Sequence, residues 1–231
     1  MDHVGVFVEN LELLERATAV LISNWTPATS LPSPVLGIPE GAYLEHAERE
    51  GLEHFREVVR YLSSVGFKVI TVPALADFED IYQHHNTIVA YDAARVHEKW
   101  LAEFGNLYHT KTKELVQRGQ TISNNQFQAS LSSRLQTRQH LTDLMQTNGI
   151  DLWISPSAPG PAPLGLESTG NPVMNLPWTH AGLPTLTLPA GKSKNGLPLG
   201  LQLTADWYGD EKLLGWAKTL QSSLSEWSPS S

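Results

Sequence analysis

Two short apolar runs bracket a long amphipathic one. Val35-Leu36-Gly37-Ile38-Pro39 is followed, over about residues 42–64, by Leu52, Phe55, Val58, Val59 and Leu62 on one helical face, and then by Gly66 and Phe67-Lys68-Val69-Ile70-Thr71-Val72. Apolar residues recurring every three or four positions mark one side of a helix, whereas a short unbroken apolar run suits a buried strand. A strand, a helical crossover and a second strand place the two strands parallel in one sheet. The spacing predicts a βαβ unit and an α/β fold.

The flanking segments extend this pattern. A short strand is expected over residues 1–8, then a helix from a cap at Asn10 to near Ser23, with Leu11, Leu14, Ala17, Val20 and Leu21 at helical spacing. Residues 26–34, rich in Pro, Ser and Thr, read as a loop. Residues 77–145 are mostly helical in pattern, broken near Gly105 and Gly119, and Asp151-Leu152-Trp153-Ile154-Ser155 returns as a strand. From 156 to 189 the chain is dense in Pro, Gly, Ser and Asn, which predicts a loop-rich face beside a sheet. Residues 183–190 and 199–205 supply two more strands, 211–224 a last helix, and 226–231 a flexible tail behind a domain over 1–225.

Sixteen Lys plus Arg against 24 Asp plus Glu give a net charge of −8, which excludes a basic protein that coats nucleic acid. With 41% hydrophobic and 17% charged residues, the chain has the material for a packed core. It contains no Cys, so disulfides, thiolate nucleophiles and Cys-ligated metals are excluded. No apolar stretch reaches membrane-spanning length, and Met1-Asp2-His3-Val4-Gly5 has no signal-peptide character, so a soluble, cytoplasmic protein without membrane or nucleic-acid partners is expected.

Several common chemistries leave no trace. The phosphate loop, the dinucleotide turn and the G-x-S-x-G elbow are absent from the sequence. His84 and His85 are adjacent and point in different directions on a helix, and no H-E-x-x-H occurs, so no metal or cofactor is expected. Asp77, Glu79 and Asp80 open a helix, where carboxylates meet the positive end of its dipole. Ser155 and Ser157 flank Pro156 at a strand end where a nucleophile could sit, but the sequence offers no evident base.

The last third is more informative. Ser155-Pro156-Ser157-Ala158-Pro159 is followed by Thr169-Gly170-Asn171-Pro172, Trp178-Thr179-His180-Ala181-Gly182-Leu183-Pro184, Thr185-Leu186-Thr187-Leu188-Pro189-Ala190-Gly191 and Gly196-Leu197-Pro198-Leu199-Gly200-Leu201-Gln202-Leu203. Gly182 and Pro184 suit a sharp entry into a buried strand, Pro189 and Gly191 its exit, and Gly200 a close backbone approach. Ser157, Asn171, Asn175 and Thr179 lie on loops beside strand ends, where turn chemistry and a pocket are both open uses.

This string resembles the C-terminal part of the amidase signature family. Asp2-His3-Val4-Gly5 looks like the family segment just after its signature region, and residues 35–72 like its strand–helix–strand passage. The resemblance implies an α/β/α fold with a mixed central sheet, and amide hydrolysis by two serines and a lysine in a section N-terminal to the Asp-His-Val-Gly segment. That catalytic half is missing: the 231 residues hold no Gly-Gly-Ser-Ser-like loop, and Lys99, Lys111 and Lys192 do not occupy the corresponding place. No catalytic residue is therefore assigned, while Ser157, Asn171, Asn175 and Thr179 are carried over as substrate-binding positions.

The expectation is a C-terminal fragment of an amide-bond hydrolase, inactive alone, that meets a small amide substrate only when the N-terminal half is supplied. The alternatives are a non-catalytic binding or scaffold module of the same fold, and part of the A subunit of a tRNA-dependent amidotransferase. Further expectations are a cavity shared by the four carried-over residues, and Ile154, Leu186, Leu188, Leu201 and Leu203 left facing absent partners, with self-association through exposed sheet edges.

Overall fold

The computed structural model describes residues 4–227. Asn10 has extended backbone and its side chain accepts from the Leu13 amide at 2.9 Å, so α1 (Leu11–Leu21) begins with one of its orphan donors satisfied. The strand expected over residues 1–8 is not found: residues 4–8 are irregular and pair with no ladder, and residues 1–3, with Asp2 and His3, lie outside the described residues.

The βαβ unit forms. β1 (Leu36–Glu40) and β2 (Val69–Pro73) pair in parallel from Leu36 opposite Val69 to Glu40 opposite Pro73, joined through α2 (Arg49–Ser64). The helix is shorter than the amphipathic pattern because residues 44–46 close a single 3₁₀ turn, after which Ala47 and Glu48 are extended.

The helical layer comprises α3 (Phe78–Phe104), α4 (Thr110–Gln120) and α5 (Asn124–Asn148). Glu79 and Asp80 lie in the first turn of α3, as the dipole argument requires. The first break falls at Gly105, but the second comes after Gly119, where Ser123 and Gln126 form a capping box that starts α5. Gly119 stays inside α4 because the helix crosses α3 there, and a Cβ would overlap the Ala90 carbonyl.

β3 (Leu152–Pro156), α6 (Leu176–Ala181), β4 (Thr185–Lys192), β5 (Pro198–Thr204) and α7 (Asp210–Ser225) complete the chain. The helix α6 arises within the stretch expected to be loop. The sheet has five strands in the order β2-β1-β3-β5-β4 and is mixed: β1 is parallel to β2 and β3, while β5 is antiparallel to β3 and β4.

Side-chain alternation along β3 divides the core. Leu152 and Ile154 join Leu36, Leu188, Leu201 and Leu203 under α2 and α7, whereas Trp153 faces α3, α5 and α6 with Leu141, Met145 and Trp178. The three layers follow. This corrects the expectation of unpartnered apolar runs: Ile154, Leu188, Leu201 and Leu203 are at most 1% exposed, covered by α2 and α7 of the same chain. Leu186 is half-buried, and β4 is an edge strand. Past α7, the Trp227 ring lies 5.3 Å from that of His54. Residues 228–231 lie outside the described residues.

Candidate functional site

The loop after β3 is fixed from two sides. Ser157 donates its amide to the Gly200 carbonyl at 3.2 Å, and Gly200 lets β5 pass closely against this turn, since a Cβ there would press on the Ser157 hydroxyl. The Pro159 carbonyl accepts from the Glu48 amide at 2.8 Å, and Gly51, in the first turn of α2, lies directly against it.

A second segment closes over the first. Asn171 accepts from the Val173 amide at 3.0 Å and caps the 3₁₀ turn Pro172–Met174, which is turn chemistry. Asn175 ends that turn, and its side-chain amide donates to the Ser157 carbonyl at 3.2 Å. Thr179 follows one turn along α6, its amide on the Asn175 carbonyl at 3.0 Å. Asn175 thus connects Ser157 to Thr179.

The four carried-over positions are not gathered as expected. Ser157 lines a small cavity of about 40 Å³ with His54 and Gly200, whereas Thr179 lines an open groove of about 820 Å³ between β4, α1 and α7. Asn171 and Asn175 belong to the wall of neither. The reason is the direction of the chain: the 3₁₀ turn and α6 carry residues 171–179 from the end of β3 toward the entry of β4.

Beneath these segments is a buried polar network that sequence reasoning missed. The Tyr43 hydroxyl donates to the Met174 carbonyl at 2.7 Å and lies 3.0 Å from the Ser155 hydroxyl, while Trp178 Nε1 donates to Tyr43 at 3.1 Å. Gln202 Nε2 reaches Ser155 Oγ and the Met174 carbonyl, each at 3.1 Å. Burial holds the Tyr43 phenol well above its ordinary pKa, so it stays a neutral donor. A polar Gln202 inside the apolar run 199–203 was the available sequence signal; Tyr43 had none.

Two imidazoles lie close together on α3 and α6. His180 on α6 is fully buried, accepts or donates at Nε2 to the Ser133 hydroxyl at 3.2 Å, and has no partner at Nδ1. His85 on α3, its ring centroid 5.9 Å away, also has an unpartnered Nδ1. Burial, with the Arg134 charge adding to it, pulls His180 down to about 3 and His85 down to about 4. Both are neutral at physiological pH. Among the described residues, no group of three or more His, Cys, Asp or Glu is arranged to hold a metal ion.

Chemically, the site can position but offers no evident attack. Among the described residues no hydrogen bond joins the Ser157 hydroxyl to a base; His54, in the same cavity, bonds instead to the Ala190 carbonyl. The Asn175 side chain is used within the protein to hold the Ser157 turn, and Ser157 and Thr179 open onto separate cavities. No helix among the described residues is long and apolar enough to cross a membrane.

Comparison with known proteins agrees with this architecture. A solved structure described as an amidase superimposes with a TM-score of 0.81 at 27% identity, over 90% of this chain and 50% of that one. A fatty acid amide hydrolase shares the fold, with a TM-score of 0.73 at 21% identity over 87% of this chain and 42% of that one. The A subunit of the glutamyl-tRNA(Gln) amidotransferase of Chlorobium phaeobacteroides (strain BS1) is 40% identical over 85 residues, 33% of this chain and 18% of that protein. The chain therefore spans half the length, or less, of these relatives. The family model described as Amidase matches residues 2–214, and the chain belongs to that family, the amidase-signature family.

Proposed function

We propose that these residues form the substrate-positioning side of an amidase-signature enzyme that hydrolyses carbon–nitrogen amide bonds. In this proposal the Ser-Ser-Lys machinery comes from a Gly/Ser-rich segment outside the 231 residues. The observation that carries it is a combination: the family match covers residues 2–214, yet Ser157, the serine placed at a strand end where it could attack, has no base among the described residues.

In this mechanism Asn175 holds the Ser157 turn, and Thr179 lines the cleft in which the amide is oriented. Holding a substrate in place contributes to rate only when a nucleophile is within reach, so the chain alone does not turn over. The substrate is a small-molecule amide, and we place the enzyme in the cytoplasm. Free pairing groups along β4 would accept a strand of the catalytic half, or of a second copy.

The test is reconstitution. The chain is mixed with, or co-expressed beside, the N-terminal half of an amidase-signature relative, and hydrolysis of an aryl amide is followed. Turnover from the mixture and from neither part supports the proposal; a complex that forms and stays inactive on a panel of amides refutes it. The second reading, part of the A subunit of a tRNA-dependent amidotransferase, is favoured by the 40% identity to such a protein over 85 residues. It predicts glutamine hydrolysis in the reconstituted sample.

A further inference from the structure

Arg134 and Arg138 stand one turn apart on α5, and both use Nε to close the end of α6. Arg134 donates to the His180 carbonyl at 2.9 Å and Arg138 to the Ala181 carbonyl at 2.6 Å. These bonds satisfy last-turn carbonyls that the helix leaves open. They also fix both guanidinium groups and leave their Nη atoms for other partners.

One Nη atom of each arginine approaches Gly182. Gly182 ends α6 in the left-handed region at φ 72°, and a Cβ built there would lie 2.9 Å from Arg138 Nη2 and 3.4 Å from Arg134 Nη2. Two half-buried cations held this close to one residue repel each other unless an anion sits beside them. Burial and the Arg134 charge hold the Arg138 guanidinium below its ordinary pKa, in keeping with that repulsion.

No side chain among the described residues supplies the anion. The ion pairs within 4.0 Å join Arg49 to Glu53, Arg60 to Glu57 and Lys218 to Glu15, and neither arginine belongs to one. Asp206, the acid beside Trp207, accepts at Oδ1 from the Thr142 hydroxyl at 2.6 Å and the Trp207 amide at 2.7 Å and forms no ion pair with either arginine. Glu9 and Asp210 line the groove without forming an ion pair to Arg134.

The surroundings have the form of a binding site. The Arg138 guanidinium lies 3.5 Å over the Trp207 ring, which stacks on Tyr208 with centroids 4.8 Å apart and planes at 16°. Stacking covers one face of that guanidinium and leaves its edge toward Gly182. Arg134, Thr179, Gly182, Trp207 and Tyr208 line the 820 Å³ groove, whereas Arg138 is outside its lining and meets it through Trp207 and Gly182.

We propose that Arg134 and Arg138, with Thr179 beside them, form a subsite for the oxyanion of a small ligand, a carboxylate or a phosphate. Either group matches two planar guanidinium edges through charge-assisted hydrogen bonds. The assignment stands apart from the hydrolytic proposal, because it concerns binding to the chain as it is.

Calorimetric titration of the full chain with succinate and with inorganic phosphate, at ionic strength held constant with sodium chloride, tests it. Saturable binding of at least one is expected, and the tighter of the two identifies the ligand chemistry. Arg134→Gln, with folding checked by circular dichroism, should weaken that binding about tenfold or more. If Arg134→Gln does not fold, Arg134→Lys is used, and a loss of several-fold is expected as the fork becomes a point charge. No saturable binding of either anion, or an affinity unchanged in the folded arginine variant, overturns the assignment.

Discussion

The Tyr43 hydroxyl donates to the main-chain carbonyl of Met174 at 2.7 Å, bridging the end of β1 and the turn that precedes α6. Both residues are fully buried, and Gln202 donates to the same carbonyl from β5. The position of residues 171–179 is thereby tied to two strands at once. Tyr43→Phe keeps the ring packing against Trp178 but leaves the Trp178 Nε1 donor without its acceptor. A stability loss of about 1–3 kcal/mol is expected by urea denaturation, with the denaturant slope unchanged.

Asn175→Ala removes the side-chain donor to the Ser157 carbonyl. A loss of about 1 kcal/mol is expected, since the bond is partly exposed and water can replace it. Hydrogen exchange should rise locally, in residues 157–160 and 171–179, rather than across the sheet.

Gly119→Ala is expected to be among the most damaging single changes. A Cβ at this position overlaps the carbonyl of Ala90, and backbone on both sides prevents the collision from being relieved by a rotamer change. The expected loss is about 3 kcal/mol or more, read as a lower unfolding midpoint, with helicity retained below it.

The two buried imidazoles set an acid limit. His180 and His85 have folded pKa values of about 3 and about 4 against 6.5 for the free group, so the unfolded chain binds more protons between those values. Their contribution is complete above about pH 6.5 and is lost as pH falls from there toward about 4 for His85 and about 3 for His180. His180→Asn should flatten the acid limb of a plot of stability against pH. An acid limb as steep as that of the parent chain would show that other groups govern it.

Much of this fold could be read from residue order. The apolar spacing in 35–72 defined the βαβ unit, and Gly182 and Pro184 marked the entry to β4, but β4 does not exit at Pro189 and Gly191: it runs through both to Lys192 across a register shift. Gly105 was legible as a break because nothing packs against it closely, whereas Gly119 was misread: a glycine that permits helix crossing looks the same in sequence as one that ends a helix. The short helix α6 was hidden because Pro177 suggests a loop, although proline is well suited to a first turn. The candidate site was legible only as a set of polar loop residues. Which of them meet depends on Tyr43, Gln202, Arg134 and Arg138, contributed by segments up to 135 positions from the residues they hold.

The central claim is that these residues position an amide without attacking it. Purified chain is incubated with chromogenic aryl amides and simple aliphatic amides, and amine release is followed against a buffer control. No release above that control is expected, with Ser157→Ala indistinguishable from the parent. Turnover by the parent chain that Ser157→Ala abolishes would contradict it, and would identify Ser157 as the nucleophile.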